Sequence, residues 1–573
     1  VTQHLLLEVV LAGRTLRIAD ADLDIYDTDT GDWLHYTAGI DALTVERSFD
    51  FLSTASAAPS VPVECLFPVD LAAEDAAGHR LALSPASLSL WTEGDDYALR
   101  RRLVGGFVLD PEWGEEGEPV AFSIGPTAAA VGALVIPATH RIDSATLATS
   151  SAIDNLATED LGVAYSRAYG SPGRIDATNW VTGGQGIWAM HQGDGAINYL
   201  RLVITGQHLY GSDYIWLSGD IDVPGHRFRV YNTLDGRGQP VCVVTEGIDW
   251  TPTNLIDAGS AVSGFSTDGD GYYYGLNCQI QANLADNNPN LPAALYQPVT
   301  ILTPPATTPV SSAVFWSFRG PGASDGLTGL SPLAGDVILD MMQRAGIPVD
   351  FGRFGAAAAL LQGYRFDCVI DDPEALALAW LQENVYPLLP ISMSNGTDGD
   401  YPIVWRYDAT ADDATVRLDA DADPRISRAG KCKDDASKVA NAFSIQYRYS
   451  VRTDAYTATV TRDKATCPYC EASESRYGRI EKALTTRNVY DEATATAMLG
   501  WMARAYTSPS RRVPYLVPSE YRLFEGQIAL LTDSRVSYSA RICLVEKVDV
   551  DGTGIDGVQL LLVADLLRDL LSG

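Results

Sequence analysis

The sequence predicts a mainly β protein with one small α/β domain and an inserted β-rich module. Three observations lead there. Near the N-terminus apolar and polar residues alternate with period two: Arg14, Leu16 and Ile18 with Thr15 and Arg17, and Leu43 and Val45 with Thr44 and Glu46. The chain has 50 glycines and 30 prolines, a composition that favours short strands joined by turns. Helix caps followed by apolar residues at helical spacing cluster in the last half of the chain.

With 573 residues the chain is long enough for roughly four domains. Residues 1–126 read as all β. The strip Leu5-Leu6-Leu7-Glu8-Val9-Val10-Leu11 is too short to span a membrane and is interrupted by Glu8, so it is read as a first strand. Phe67-Pro68-Val69-Asp70 and Gly105-Gly106-Phe107-Val108-Leu109-Asp110 read as strand ends near turns. Such a pattern closes as a barrel or sandwich.

Residues 127–310 are rich in Gly, Asn, Asp, Tyr and Trp, including Tyr165, Tyr169, Trp180, Trp188, Tyr199, Tyr210, Tyr214 and Trp216. Strands are expected at 199–204, 214–217, 228–231 and 241–244, within one or two inserted β-modules. The Pro-rich run 303–309 would close the insertion as a stiff linker.

Residues 311–424 read as the small α/β domain. Ser331 is an N-cap with Pro332 at the first helical position, then Leu333, Val337, Ile338, Met341 and Ala345 as an apolar stripe, and Gly346 as the stop. Asp371 or Asp372 with Pro373 opens a second helix over 375–385, ended by Pro387. Strands are expected at 364–370 and 403–407.

Residues 425–573 read as a barrel with one helix. Strands at 442–449 and 455–461 pair across a turn at 451–454. A helix over 493–506 is capped by Asp491, strands at 526–532, 540–548 and 558–566 close the barrel, and 566–571 form a short tail helix.

The formal net charge of −32 argues against wrapping nucleic acid, which needs a basic face. An acidic surface suits solubility, and it suits a channel through which DNA slides without sticking. No apolar run reaches about 18 residues, so no membrane span is expected. Val1-Thr-Gln-His4 has no basic n-region and no signal-like stretch follows, which places synthesis in a bacterial-type cytosol.

Of the eight cysteines, Cys467-Pro-Tyr-Cys470 is the best chemical candidate. Two thiolates at this spacing can bind one metal or cluster. No histidine lies beyond His226, so the remaining ligands would be Cys432 and Cys543. A set of four cysteines suits a structural zinc or an iron–sulfur cluster. The alternative is a pair of plain turn thiols; a thioredoxin-type redox pair lacks a βαβ context.

Asp268-Gly-Asp270-Gly and Asn395-Gly-Thr-Asp398-Gly-Asp400 depart from the calcium-loop pattern and read as hairpin turns. Asp419, Asp421 and Asp423 alternate and would share one solvated strand face. His-Glu-x-x-His is absent, and the seven histidines have no metal-like spacing. Gly183-Gly-Gln-Gly186 lacks the Lys-Ser/Thr of a phosphate loop.

The series Lys433-Asp434-Asp435, Val439-Ala-Asn441, Cys467, Ser475-Arg-Tyr-Gly478 and Glu525-Gly526-Gln527-Ile528 resembles the C-terminal barrel of the hub proteins at the tail tips of bacteriophages and gene transfer agents. Gln527 stands where that family has Asp. The stretches Ala345-Gly346-Ile347-Pro348-Val349-Asp350 and Gly363-Tyr364 are also hub-like, so the likeness covers about 311–573, with a weaker echo in 1–126. It implies two tube-like β-barrel domains per chain and a homotrimer that adapts a sixfold tail tube to a threefold tip. It also implies a DNA channel, a 4Fe-4S cluster as the favoured occupant of any cysteine site, and a place at the virion tail tip. Its partners would be the distal tail protein, the tape-measure protein, and tail fibre or tip proteins. The expectation is therefore a structural virion protein and not an enzyme. The alternative is a tail-tip protein that degrades cell wall or binds glycan through the aromatic-rich insertion.

Overall fold

The computed structural model describes residues 2–125 except 41–44, 49–60 and 114–117; short strands and scattered positions between 132 and 318; and residues 332–562 except 396–398, 452 and 551–554. It is mainly β, with several sheets, one of them curled into a half-barrel. Leu43, Asp268-Gly-Asp270-Gly, the 303–309 linker, Ser331 and the 566–571 tail lie outside the described residues.

The N-terminal sheet has eight strands in the order Leu23–Asp27, Asp32–Ala38, Arg14–Ala19, Gln3–Leu11, Pro85–Thr92, Arg101–Glu112, Val120–Gly125 and Val61–Cys65. Gln3–Leu11 carries apolar residues on both faces over Leu5–Leu7 because both faces are covered there. Leu5, Leu7 and Val9 enter the main core, and Leu6 enters a smaller one with Ile25, Tyr36 and Trp91. Glu8, the polar break in this strip, is fully partnered. Its carboxylate accepts from the hydroxyls of Tyr36 and Tyr97 at 3.0 and 2.9 Å and from Arg17 Nε at 3.1 Å.

Two expected strand ends are revised. Asp70 caps a short helix, Leu71–Ala76, by accepting from the Ala72 and Ala73 amides. Gly105–Asp110 runs through the middle of the strand Arg101–Glu112. Its turn-like composition serves a register shift between Leu109 and Glu112, where Asp110 is left-handed at φ +48°.

The C-terminal sheet runs Val416–Asp419, Ile528–Asp533, Tyr538–Val550, Ile555–Leu562, Ser510–Pro518 and Ser427–Arg428, with Lys433–Asp435 also on Ser510–Pro518. Its remaining strand comes from the other end of the chain: Val45–Ser48 pairs antiparallel with Tyr538–Val550, with Val548 opposite Arg47. The two large sheets also share a hydrophobic core. Leu5, Val63, Leu88, Val104 and Ile124 of the first pack in one cluster with Leu418, Tyr515, Leu531, Val545 and Leu560 of the second. The termini are thus joined by both hydrogen bonding and apolar burial.

A second core lies under a three-stranded sheet, Ala455–Arg462, Ala442–Ser450 and Glu481–Thr485, crossed by the helix Glu492–Tyr506. Asp491 caps that helix as expected, accepting from the Thr494 amide at 2.8 Å. The expected strands 442–449 and 455–461 pair as a hairpin. They do not join the closing strands, however, so residues 425–573 divide between two sheets and two cores instead of one barrel.

The helices Ala334–Arg344, Phe351–Leu360 and Ala377–Asn384 pack into this second core. The stripe Val337, Ile338, Met341 and Ala345 is buried as expected, and Gly346 stops the helix at φ +67°. Both expected caps are revised: Leu333 and Leu376 occupy the cap positions without side-chain bonds. Each is held in an extended bridge, Leu333 with Arg365 and Leu376 with Leu134, which delays the helical turn. Asp372 instead accepts from the Glu374 amide in the preceding turn, at 2.9 Å. The expected 364–370 strand shortens to Cys368–Ile370, which pairs with Arg167–Tyr169.

Ile391–Asn395 and Asp400–Val404 form the hairpin expected around Asn395–Asp400. Between 184 and 318 the strands pair into two four-stranded sheets and one two-stranded ribbon. The four expected strands lie within Asn198–Thr205, Ser212–Gly219, Phe228–Leu234 and Pro240–Glu246. Val314–Phe318 pairs with Ser212–Gly219, and side chains of this region lie outside the described residues.

Candidate functional site

Cys467 is the N-cap of a helix, Pro468–Tyr477, with Pro468 at its first position, so Cys467-Pro-Tyr-Cys470 is a helix start and not a free turn. One turn of helix brings the two sulfurs together. The neighbouring Cys470, whose thiol donates to the Arg462 carbonyl at 3.9 Å, lowers the Cys467 pKa well below the usual thiol range against the opposing effect of burial. The Cys470 and Tyr469 amides and the Arg462 side chain add to that lowering. Cys467 beside it, with burial, pushes Cys470 up. Both are buried, at 2% and 0% exposure, beside exposed Thr466 and Pro468.

The other two candidate ligands lie in the other core. Cys432 sulfur is 3.0 Å from an Arg428 guanidinium nitrogen and 3.7 Å from the Tyr538 hydroxyl. Cys543 is fully buried in the strand Tyr538–Val550, its thiol 3.5 Å from the Arg541 carbonyl, and burial raises its pKa. Cys467 and Cys470 belong to the core under the three-stranded sheet. Among the described residues no group of three or more His, Cys, Asp or Glu side chains is placed to hold a metal ion. Cys467 and Cys470 thus share one core, and Cys432 and Cys543 lie against or within the other.

The aspartates 419, 421 and 423 do not share a strand face, because the strand ends at Asp419. Asp419 accepts from the amides of Asp421 and Ala422, Asp421 from the Ser534 amide and hydroxyl, and Asp423 from Arg425. They hold the turn together. At the hub-like corner, Gly526 takes φ +81° and its amide donates to the Val545 carbonyl at 2.9 Å. Gln527 donates to Thr415 Oγ1 at 3.0 Å and accepts from the Phe524 amide at 3.3 Å. The turn survives without a carboxylate at position 527 because the amide supplies both a donor and an acceptor.

Sequence reasoning missed a polar cluster beside the α/β helices. Arg167 Nη2 donates to both oxygens of Asp340 at 3.0 and 2.9 Å, Arg344 Nε donates to the same carboxylate at 2.8 Å, and the Tyr169 hydroxyl donates to it as well. Burial raises the Asp340 pKa, but the two guanidiniums and the hydroxyl outweigh it and hold the carboxyl below its usual range. The Arg344-to-Asp340 spacing of four was the available signal; the partner 173 residues away was not.

A cleft of about 1010 Å³ opens between the 405–408 segment and the helix Glu492–Tyr506. Trp405, Tyr407 and Trp501 wall it, and Arg406, Arg462 and Arg504 reach it. Its carboxylates are Asp408 and Glu492, and Asp408 is paired with Arg406 at 2.8 Å. Serine, cysteine and histidine are absent from its described lining. No helix among the described residues is long and apolar enough to cross a membrane.

No family model matches the chain. A comparison with curated proteins likewise finds no match. Among solved structures, the chain is similar to the tail protein from Neisseria meningitidis MC58, at 7% identity and a TM-score of 0.36, over 98% of this chain and 99% of that one. It is also similar to the 43 kDa tail protein of prophage MuSo2 from Shewanella oneidensis, at 13% identity and a TM-score of 0.25, over 70% and 99% of the two chains. A third likeness is prophage tail protein gp18 from Listeria monocytogenes EGD-e, at 7% identity and a TM-score of 0.21, over 66% and 90%. All three are distant, at identities and scores too low to fix the fold or the function of this chain.

Proposed function

We propose that this chain is a structural virion protein, a hub subunit at the tip of a phage-type tail. Three copies form a ring in which the two large terminal sheets of each chain supply six curved wall elements, adapting a sixfold tube to a threefold tip. The observation that carries this reading is the union of the terminal sheets. A wall element must be held rigidly at a fixed spacing from the next, and here Val45–Ser48 crosses into the C-terminal sheet while both sheets share one core. A protein whose work is binding or turnover at one site has no need of that union. The hub-like motifs support the reading from the sequence side, since Glu525-Gly526-Gln527-Ile528 forms a tight corner leading into a strand of that same sheet.

In this reading the chain does no chemistry. It ends the tube, contacts the distal tail and tape-measure proteins, and presents the 127–310 module outward to fibre or tip proteins. DNA passes along an acidic bore that repels it. The test is the mass of the purified full chain by sedimentation and light scattering across a concentration series. A trimer at high concentration supports the reading. A strict monomer that turns over peptidoglycan overturns it.

A further inference from the structure

We propose that the cleft between the 405–408 segment and the helix Glu492–Tyr506 docks an extended peptide segment of a partner protein, one that carries an acidic residue and, about four residues away, a basic one. The cleft is lined by three charges that lack a counter-charge. Arg462, at the end of the strand Ala455–Arg462, and Arg504, in the last turn of the helix, are the two cations. Neither has a carboxylate partner among the described residues, and Arg462 Nε is buried without a hydrogen-bond acceptor. Acidic residues number 73 in this chain against 41 lysines and arginines, so carboxylates are plentiful, yet these two guanidiniums meet none. Glu492, at the other end of the helix, is exposed and has no cation partner among the described residues. Arg406 differs, because Asp408 and Asp413 neutralise it at 2.8 and 3.5 Å.

The two signs are separated along the helix. Gly500 lies between the cations. A Cβ built on it would stand 3.9 Å from Arg462 Nη1, and Arg504, one turn on, leans back toward it because helical side chains tilt to the N-terminal side. A carboxylate seated above Gly500 is thus placed to accept from both guanidiniums. Glu492 precedes Gly500 by about 12 Å of helix, a distance an extended chain covers in about four residues. A lysine or arginine at that spacing reaches Glu492. Between the ends the helix presents Ala493, Thr496 and Ala497, short side chains that leave room for a peptide backbone. Leu360, 50% exposed, and Tyr364 also line the cleft and offer apolar contact to a side chain between the two charges. A nucleic acid presents negative charge throughout, and Glu492 repels it, whereas a segment of mixed sign satisfies both ends.

The test is fluorescence anisotropy of labelled peptides titrated with the purified full chain. The probes are acetyl-Lys-Ala-Leu-Ala-Asp-amide, the reversed sequence, and both peptides with the acid or the base replaced by alanine. One of the two mixed-charge orders should bind, and replacing its acid should weaken binding by about tenfold or more. Arg504→Gln should have a similar effect. Gly500→Leu should abolish binding by filling the floor of the cleft; only Arg462 Nη1 lies near the added Cβ, and leucine is the better helix former, so this variant keeps its fold. Glu492→Gln should weaken the lysine peptide and leave its alanine counterpart unchanged. The wild-type titration and the peptide series need no substitution and stand even if a variant misfolds. No anisotropy change for either mixed-charge order up to about 0.1 mM chain would overturn the proposal. So would binding that survives both Arg504→Gln and Gly500→Leu, or a labelled single-stranded oligothymidylate that binds as tightly as the peptides.

Discussion

Removing the Glu546 carboxylate tests the reading of the C-terminal sheet most sharply. Glu546 sits at a register shift between Val545 and Lys547, a bulge that turns its side chain toward the core. There, at 3% exposure, it accepts from Arg512 Nε at 2.9 and 2.7 Å and from Gln559 Nε2 at 3.1 Å. The Arg512 side chain is 13% exposed, and its next carboxylate, Asp435, is 3.6 Å away. Glu546→Ala removes the main carboxylate from a buried guanidinium, leaving the weaker contacts to Asp435 at 3.6 Å and Ser510 Oγ at 3.3 Å, a loss of about 3–5 kcal/mol. For a unit of this size that lowers its melting temperature by roughly 6–20 °C. The double variant Arg512→Met/Glu546→Leu removes both charges and should recover most of the loss, because replacing a buried pair by apolar residues is often close to neutral. The assay is thermal unfolding of wild type, both single variants and the double, with hydrogen exchange of the Ser510–Pro518 amides assigning the transition. A shift below about 2 °C in Glu546→Ala, or a double variant no better than the single, would refute the reasoning.

Three further predictions concern the second core and the corner that packs on it. Asp340→Asn should cost about 1.5–3 kcal/mol at neutral pH, because hydrogen bonds to a charged group are lost. The folded carboxyl titrates below its unfolded value of about 3.9, so its contribution is present above that pH and lost as pH falls through the folded value; melting curves of wild type and variant should converge in acid. Asp491→Ala removes the cap of Glu492–Tyr506 and should cost about 0.5–2 kcal/mol in urea unfolding followed by Trp501 fluorescence. Gly526→Ala puts a Cβ 2.1 Å from Ile403 Cγ2 at φ +81° and should cost about 1–3 kcal/mol by thermal melting, with Ile403→Ala in the same chain relieving part of it.

The readable parts of the fold were those whose signal is local. The hairpin Ala442–Ser450/Ala455–Arg462 and the Asp491-capped helix follow from period, cap and turn residues within short windows. The missed helices lack that signal. Phe351–Leu360 contains Gly352 and Gly355, which lower its propensity, and Pro468–Tyr477 buries only Cys470 and Ser473, so no apolar stripe marks it. Sheet membership was not legible either. Nothing near Val45–Ser48 indicates that it pairs with a strand some 500 residues later, since a strand's edge can accept any neighbour of suitable register. The cysteines show the same division. Cys467 and Cys470 meet through local helix geometry, whereas the placement of Cys432 and Cys543 in the other core depends on long-range packing that spacing does not encode.

The most direct measurement is a cryo-electron microscopy reconstruction of the assembled full-length chain. The account predicts a threefold particle whose bore is walled by six curved sheets, two from each chain, with Val45–Ser48 bridging the pair within every subunit. A particle without a threefold axis, or one whose terminal sheets face away from any common bore, would contradict it.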